Sequence, residues 1–308
     1  MILMDTTVTM FAAAFVPPEQ FDTLAERAFQ WFQTVERTCS RFDPTSEVMQ
    51  LTARSGQAVP VTPLLFQAVQ FALAIAELSD GAFDPTVGQA LENRGFNRHY
   101  VSGASVRTVL PSDVPITEAG RAHTERPVPI SFRDIRVDAS RQTITLMRPL
   151  ILDLGAVVKG LAIDLAAKEL APLGQFSIDA GGDIYVAGRN QMGGPWRVGI
   201  RHPRRPETVA VVLALSDQAV CTSGDYERPA PTDGHHIIDP RSGQSPAEVA
   251  SVTVVAPNAM LADALSTAVF VLGPDRGLRL LASQGLDGLL LSPTLERRMT
   301  AGMGRYLA

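Results

Sequence analysis

Two oxygen-bearing side chains lie one helical turn apart in the C-terminal part of the chain. Asp263 and Thr267 fall in segment 258–273, where Asn258 can cap a helix and Gly273 can end it. Most other positions of this segment are apolar, which predicts a helix buried on both sides. A buried carboxylate is costly unless a cation or hydrogen bonds compensate its charge. Because residues four apart share one helical face, the two side chains could bind a single Mg²⁺ ion.

Both side chains also have a simpler interpretation, which segment 258–273 alone favours. Asp263 could pair with an arginine, and Thr267 could donate a hydrogen bond within its own helix. Only the partners that the fold provides can distinguish this interpretation from a metal site.

Two glycine-containing segments are candidate binding sites for an anionic or planar ligand. Residues 153–160 open a helix, whose first N–H groups and dipole attract anions, and Lys159 adds a cation. In residues 179–184, Gly181 and Gly182 weaken a strand unless the backbone bends or a ligand approaches it closely. A turn with an exposed lysine is the simpler interpretation of the first segment. A β-bulge explains the second segment as well as a ligand does.

The chain contains one pair of adjacent histidines, His235 and His236, among arginines and carboxylates. Histidine is the usual proton acceptor near neutral pH, so His236 could deprotonate a hydroxyl group. Adjacent residues of a strand point to opposite faces, and we therefore expect only one of the two to serve. His99, His123 and His202 lie among polar or basic residues and are interpreted as surface histidines.

Two loop-forming segments, 40–47 and 81–88, place a phenylalanine directly before an aspartate. In the second, Phe83 precedes Asp84. An aromatic ring in such a loop could lie against the flat ring of a ligand. For each segment alone, a turn anchored by a buried phenylalanine is the stronger interpretation.

The elements that would position these residues follow a mixed order. Periodicity predicts helices over 19–38, 63–79, 157–173, 259–272 and 274–284. Alternating or apolar runs predict strands over 6–16, 133–137, 143–147, 176–186, 196–201, 209–215, 251–255 and 288–292. Strands that follow strands directly, with helices in pairs between them, indicate an α+β fold rather than a doubly wound parallel sheet. We expect one domain over 1–308, or two intimate lobes, with a polar surface excursion near 102–127.

Composition excludes several classes of protein. Hydrophobic residues make up 45% of the chain and charged residues 19%, as in a folded globular protein. The net charge of −5 argues mildly against nucleic acid as a partner. Cys39 and Cys221 provide neither a disulfide framework nor metal-ligand spacing. No apolar run could span a membrane and residues 1–16 resemble a strand more than a signal peptide, so we expect a cytoplasmic location.

The residues and the order of seven motifs resemble those of one family, the FAD:protein FMN transferases. The resemblance covers residues 4–291, and its motifs lie at 40–47, 81–88, 153–160, 179–184, 222–228, 235–243 and 262–268. It implies an enzyme that binds FAD and Mg²⁺ and transfers FMN to a threonine or serine of an acceptor protein, releasing AMP. The acceptor would carry a flavinylation motif. The implied architecture is α+β, with mixed, largely antiparallel sheets and paired helices, ApbE-like and related to the T-fold.

The resemblance also assigns roles to individual residues. Asp263 and Thr267 match metal ligands, and Ala156 falls where the family offers a backbone carbonyl or a hydroxyl to the same ion. His236 matches a histidine implicated in the transfer step, and either His236 or the metal-facing Asp263 would accept the hydroxyl proton. The residues expected to contact the flavin dinucleotide are Met4, Phe42, Ala82, Phe83, Asp84, Asp153, Lys159, Gly181, Gly182 and Asp183.

Two departures from the family's sequence motifs bear on how the acceptor protein would be recognised. Arg94 stands where the family has a tryptophan before Gly-Phe, and segment 229–234 is short and rich in proline. Two other functions therefore stay open at this point. One is an FAD pyrophosphatase that forms FMN and AMP, and the other is a non-catalytic FAD-binding protein.

Overall fold

The computed structural model describes residues 1–13, 15–98, 103, 105–110, 129–228 and 234–308. The α-helices there are α1 (Pro18–Cys39), α2 (Glu47–Thr52), α3 (Pro63–Leu78), α4 (Gly88–Asn93), α5 (Gly155–Leu170) and α6 (Ala259–Ser283). The strands are β1 (Ile2–Leu3), β2 (Thr6–Ala12), β3 (Val59–Pro60), β4 (Ile135–Asp138), β5 (Thr143–Leu146), β6 (Phe176–Ala180), β7 (Asp183–Ala187), β8 (Trp196–His202), β9 (Arg205–Leu215), β10 (Gln218–Gly224), β11 (Ser251–Ala256), β12 (Asp287–Leu291) and β13 (Arg297–Met299).

The strands of the described residues form three antiparallel sheets of different size. The largest has eight strands in the order β1-β2-β6-β7-β10-β11-β12-β13, and the others are β3-β5-β4 and the ribbon β8-β9. The strand pairs within these sheets are all antiparallel. This arrangement confirms the predicted α+β fold with largely antiparallel sheets.

The middle of the large sheet is covered on both faces. On one face α6 packs against β10 and β11, and α5 packs beside α6, so that Val252 and Val254 lie in the main core. On the other face the β8-β9 ribbon covers Val255 and Leu289 in a second core. Because successive side chains of a strand point to opposite faces of the sheet, β11 contributes apolar residues to both cores. This explains why its sequence is one apolar run.

The strand predicted over 176–186 is wrong as a single element, because this segment is a β-hairpin. In the β6-β7 pair Ala180 lies opposite Asp183, and Gly181 and Gly182 form the turn with φ of +68° and +95°. A two-residue turn with positive φ at both positions matches the twist of the strands and favours glycine. A Cβ atom on Gly181 would lie 2.0 Å from Thr6 Oγ1, so the turn also packs on the start of β2.

Other predicted elements differ from the structure mainly at their ends. The strand predicted over 6–16 is β2, which ends at Ala12. No strand was predicted at β10, which lies between β7 and β11 in the large sheet. The two helices predicted over 259–284 form α6, whose regular conformation is interrupted at Gly273 with φ of +74°. Glycine suits this position because positive φ strains other residues.

Within the described ranges, none of the helices is long and apolar enough to cross a lipid bilayer. The excursion predicted near 102–127 lies largely outside the described residues, as does most of segment 229–234.

Candidate active site

The predicted site residues surround one cavity beside the first turn of α5 and the first half of α6. Its volume of about 660 Å³ lies within the range of small-molecule pockets, roughly 300–1,000 Å³. The predicted residues that line it are Met4, Phe42, Ala82, Phe83, Asp84, Asp153, Ala156, Lys159, Gly181, His236, Asp263 and Thr267. Gly182 and Asp183 are not lining residues. The fold therefore brings together motifs that are more than 200 residues apart in the chain.

Asp263 has a buried carboxylate with one oxygen that lacks a hydrogen-bond partner among the described residues. Its carboxylate is only 6% exposed, and Oδ2 accepts no hydrogen bond from any described residue. Burial, and then the neighbouring charge of Asp183, raise the pKa of Asp263 to about 7. No arginine forms an ion pair with Asp263 in the described part of the chain, so the simpler interpretation of this residue is not supported.

Thr267 points away from its own helix backbone. Its Oγ1 lies 3.2 Å from Ser223 Oγ on β10, and Ser223 Oγ in turn lies 2.7 Å from Ser266 Oγ. Thr267 and Asp263 line the same cavity from successive turns of α6.

Lys159 forms an ion pair with Asp183 behind the cavity wall. Burial alone would lower the pKa of Lys159, but the carboxylates of Asp183 and Asp263 hold it above its usual value. The backbone N–H of Thr222 also donates to Asp183 Oδ1 at 3.2 Å. Asp183 thus contacts the lysine and is not among the residues that line the cavity, and its contact with the flavin dinucleotide stays a prediction.

The N-terminus of α5 is only partly available to an anion. The Asp153 carboxylate accepts the Gly155 N–H at 2.8 Å, so a carboxylate already occupies part of this helix end. Ala156 departs from helical geometry, with φ of −86° and ψ of 15°. The carbonyl groups of this first turn are therefore not in a regular helical arrangement.

Arg41 is a site residue that the sequence analysis missed. It lies 6% exposed in the cavity wall, with Nε 2.5 Å from Asp153 Oδ2 and Nη2 2.6 Å from the Phe96 carbonyl. Its guanidinium carbon is 4.1 Å from the centroid of the Phe42 ring. Burial raises the pKa of Asp153, but the charge and hydrogen bond of Arg41, with the Gly155 N–H and the charge of Arg228, together hold it below its usual value. No sequence signal identified Arg41, because its partner is 112 residues away.

His236 is a neutral histidine in the cavity wall. Its Nδ1 is shielded from solvent and has no hydrogen-bond partner among the described residues. Burial, and then the charge of Arg228, lower the pKa of His236 to about 3. The imidazole is therefore uncharged at neutral pH, and one of its two ring nitrogens carries no proton.

The other histidines differ in part from their predictions. His235 and His236 lie outside the strands, and His235 is held by Pro246 and Ile237, with Nε2 2.9 Å from the Pro246 carbonyl. His202 is buried rather than exposed, because its Nδ1 accepts the N–H groups of Arg204 and Arg205. His99 and His123 lie outside the described residues.

Loop 81–88 holds its aromatic residue rigidly against the cavity. Asp84 accepts hydrogen bonds from the N–H and Oγ1 of Thr86 and from the Phe132 N–H. These bonds engage both carboxylate oxygens of Asp84, which lines the cavity beside Phe83. Together with Phe42, Phe83 and Met4 give part of the wall an apolar surface.

A small hard cation fits the donors of this site. No group of three or more His, Cys, Asp or Glu side chains could hold a metal within the described ranges. An ion would instead depend on mixed oxygen donors, namely the Asp263 carboxylate, the Thr267 hydroxyl and the backbone around Ala156. Magnesium typically binds one or two carboxylates and completes its shell with ligand phosphates and water. The partnerless Oδ2 of Asp263 is the observation that favours such an ion.

The Lys159–Asp183 pair yields a stability prediction. Lys159→Met leaves Asp183, whose side chain is 4% exposed, without its counter-charge. We expect urea unfolding in EDTA to show a loss of about 3–5 kcal/mol. The double variant with Asp183→Asn removes the uncompensated charge, so it should recover much of this loss. Equal stability of the single and double variants would contradict the assigned pairing.

Comparisons with known proteins match this chain over nearly its whole length. The model of the ApbE family matches residues 4–290. A Treponema pallidum protein named FAD:protein FMN transferase is 33% identical, with 93% of this chain and 82% of that protein covered. A Rhodobacter capsulatus protein of the same name is also 33% identical, and this chain spans 50% of its length.

Two solved structures share the fold. The ApbE protein of Thermotoga maritima has a TM-score of 0.81 and 30% identity, with 100% of this chain and 97% of that chain covered. The flavin transferase ApbE from Vibrio cholerae has a TM-score of 0.80 and 26% identity, with 99% and 97% covered. The fold, the site and these matches show that this protein is an enzyme of the transferase class. The chain belongs to the ApbE family, as its motifs predicted.

Proposed function

We propose that this chain transfers the FMN moiety of FAD to a threonine or serine hydroxyl of an acceptor protein, in a Mg²⁺-dependent reaction that releases AMP. The names of its relatives support FAD as the donor and a protein as the acceptor. The observation that carries the proposal is the convergence of Asp263, Thr267, Lys159 and His236 on one cavity. A diphosphate would bind beside the buried Asp263 only if cations compensate the combined negative charge.

The proposed reaction is a phosphoryl-type transfer. The acceptor hydroxyl oxygen forms a bond to the phosphorus of the FMN moiety, and the bond from that phosphorus to the AMP oxygen breaks. AMP leaves with the electron pair of that bond. Of the two candidate bases we favour His236 for the hydroxyl proton, because it lines the cavity and its neutral imidazole has a ring nitrogen without a proton. In such reactions catalysis comes mainly from positioning and charge neutralisation.

The chain's own residues would bind and orient the donor. Asp263, Thr267 and the backbone around Ala156 would hold Mg²⁺, which when bound neutralises charge on the diphosphate. Lys159 adds a positive charge beside them. Phe42, Phe83, Met4 and Ala82 would pack against the flavin or adenine ring, since aromatic and apolar side chains stack well on such surfaces.

The proposed partners are FAD and an acceptor protein with a flavinylation motif. The net charge of −5 argues mildly against nucleic acid as a partner. A cytoplasmic location belongs to the same proposal, and fractionation of cells that produce the protein would test it.

Incubation with FAD, Mg²⁺ and a threonine-containing acceptor protein tests the proposal. We expect mass spectrometry to show the acceptor heavier by one FMN, with one AMP released per transfer and no reaction in EDTA. Free FMN and AMP with an unmodified acceptor would indicate a pyrophosphatase instead. Bound FAD with no release of AMP and no effect of EDTA would indicate a non-catalytic binding protein.

A further inference from the structure

Helices α5 and α6 approach each other most closely at Gly160. A Cβ atom at this position would lie 2.5 Å from the Ala259 carbonyl oxygen and 2.5 Å from the Met260 Cα. Both distances are far below van der Waals contact, so no other residue fits without separating the helices. The backbone of α5 thus rests directly on the first turn of α6.

One turn further along α5, Asp164 binds the same turn of α6. Its Oδ1 accepts the Ala259 N–H at 2.7 Å, and its Oδ2 accepts the Met260 N–H at 3.0 Å. These are two of the backbone N–H groups that a helix start leaves without an internal partner. The next group, the Leu261 N–H, is bound by the helix's own cap, Asn258, at 2.9 Å. Asp164 of α5 therefore acts as a side-chain cap for the N-terminus of α6.

The same faces of the two helices carry the proposed metal ligands. Ala156, Gly160 and Asp164 are spaced by four residues along α5, and Ala259, Asp263 and Thr267 are spaced by four along α6. Residues spaced in this way share one face of a helix. Gly160 and Asp164 of α5 both contact Ala259 and Met260 at the start of α6. At 1.5 Å per residue, Asp263 lies about 6 Å and Thr267 about 12 Å along α6 from Ala259, which Asp164 binds.

We propose that Gly160 and Asp164 form an interhelical clamp that sets the position of Asp263 and Thr267 relative to Ala156. The clamp fixes both the axial offset and the rotation of α6, because the two carboxylate oxygens hold two successive N–H groups. Asp164 is then a positioning residue for the metal and does not itself touch the substrate. This inference rests on the proposed function, since it concerns the ion that the function requires.

Binding of Mn²⁺, used as a spectroscopic probe for Mg²⁺, tests the clamp without an activity assay. Electron paramagnetic resonance of free Mn²⁺ would be recorded during titration of the full chain, with and without FAD. We expect Asp164→Asn to weaken Mn²⁺ binding about 10- to 100-fold, as substitution of residues that support metal ligands typically does. The amide can accept only one of the two N–H groups. At saturating metal, the KM for FAD should stay unchanged.

Two further variants separate positioning from general stability. Asn258→Ala removes a cap from the same end of α6 without touching α5, and it should bind Mn²⁺ as the wild type does. Gly160→Ala pushes the helices apart through a different contact and should weaken Mn²⁺ binding as Asp164→Asn does, so the test stands even if one variant fails to fold. Thermal unfolding of each metal-free variant confirms that it is folded.

The possible results distinguish a failure of the proposed clamp from a failure of the proposed function on which it rests. Wild-type affinity in both Asp164→Asn and Gly160→Ala would overturn the clamp alone, as would an equal loss in Asn258→Ala. A wild-type protein that neither binds Mn²⁺ nor transfers FMN would overturn the proposed function together with the clamp.

Discussion

Replacing Asp263 with asparagine is expected to lower kcat/KM for FMN transfer on the order of 10³-fold, because it removes the charged oxygen that would hold the cation. The same substitution should raise the free energy of unfolding of the metal-free protein by on the order of 1 kcal/mol. The carboxylate is buried and its Oδ2 has no partner among the described residues, so an uncharged amide of similar shape removes a cost. Steady-state transfer assays and urea unfolding in EDTA measure the two effects.

A second buried carboxylate provides the control for this prediction. Asp287 is 5% exposed, but Thr300 and Arg305 bond both of its oxygens. Asp287→Asn should therefore lower stability and leave kcat/KM for folded protein unchanged, which is the reverse of Asp263→Asn. An Asp263→Asn variant that transfers FMN at the wild-type rate would contradict the assigned role.

Replacing His236 with glutamine is expected to lower kcat by about 10²- to 10⁴-fold, the usual contribution of a general base. FAD binding should be retained, because the substitution leaves the aromatic wall and the proposed cation ligands in place. Single-turnover assays at saturating FAD and Mg²⁺ would measure the chemical step, and fluorescence titration with FAD would measure binding. Equal losses in FAD affinity and in rate would point to a binding role instead.

His235→Gln is the matched control. His235 is held by the Pro246 carbonyl and the Ile237 N–H, and its ring packs 5.3 Å from the Phe270 ring. We expect a loss of about 1–3 kcal/mol in stability, since buried polar partners are left unsatisfied. The kcat of the folded variant should stay near that of the wild type.

The neutral state of His236 also predicts a dependence of stability on pH. Its pKa in the folded protein, about 3, lies below the ordinary value of 6.5 that the unfolded chain shows. The stability that the neutral ring contributes is therefore fully present above pH 6.5 and is lost as the pH falls towards 3. Urea unfolding between pH 7 and pH 4 should show a smaller loss for His236→Gln than for the wild type.

Several elements of this protein could be predicted from sequence because their signals are local. Helix α3 spans Pro63–Leu78, close to the predicted 63–79, and the break of α6 falls at the predicted Gly273. The motif order identified the family and nominated Asp263, Thr267, Lys159 and His236 without coordinates. Spacing along a helix, caps and glycine positions act over a few residues, so a short stretch of sequence contains them.

Only the tertiary structure decided the partners of these residues. The sequence left open whether Asp263 faces an arginine or the cavity, and it indicated neither the Arg41–Asp153 pair nor the bonds from Asp164 to α6. It also predicted a single strand where the chain folds into the β6-β7 hairpin. Such contacts join residues that are close only after folding, and their energies depend on burial and charge that the completed core creates. The residue types at the site are a property of the sequence, whereas the burial of Asp263 and its unpartnered Oδ2 are properties of the fold.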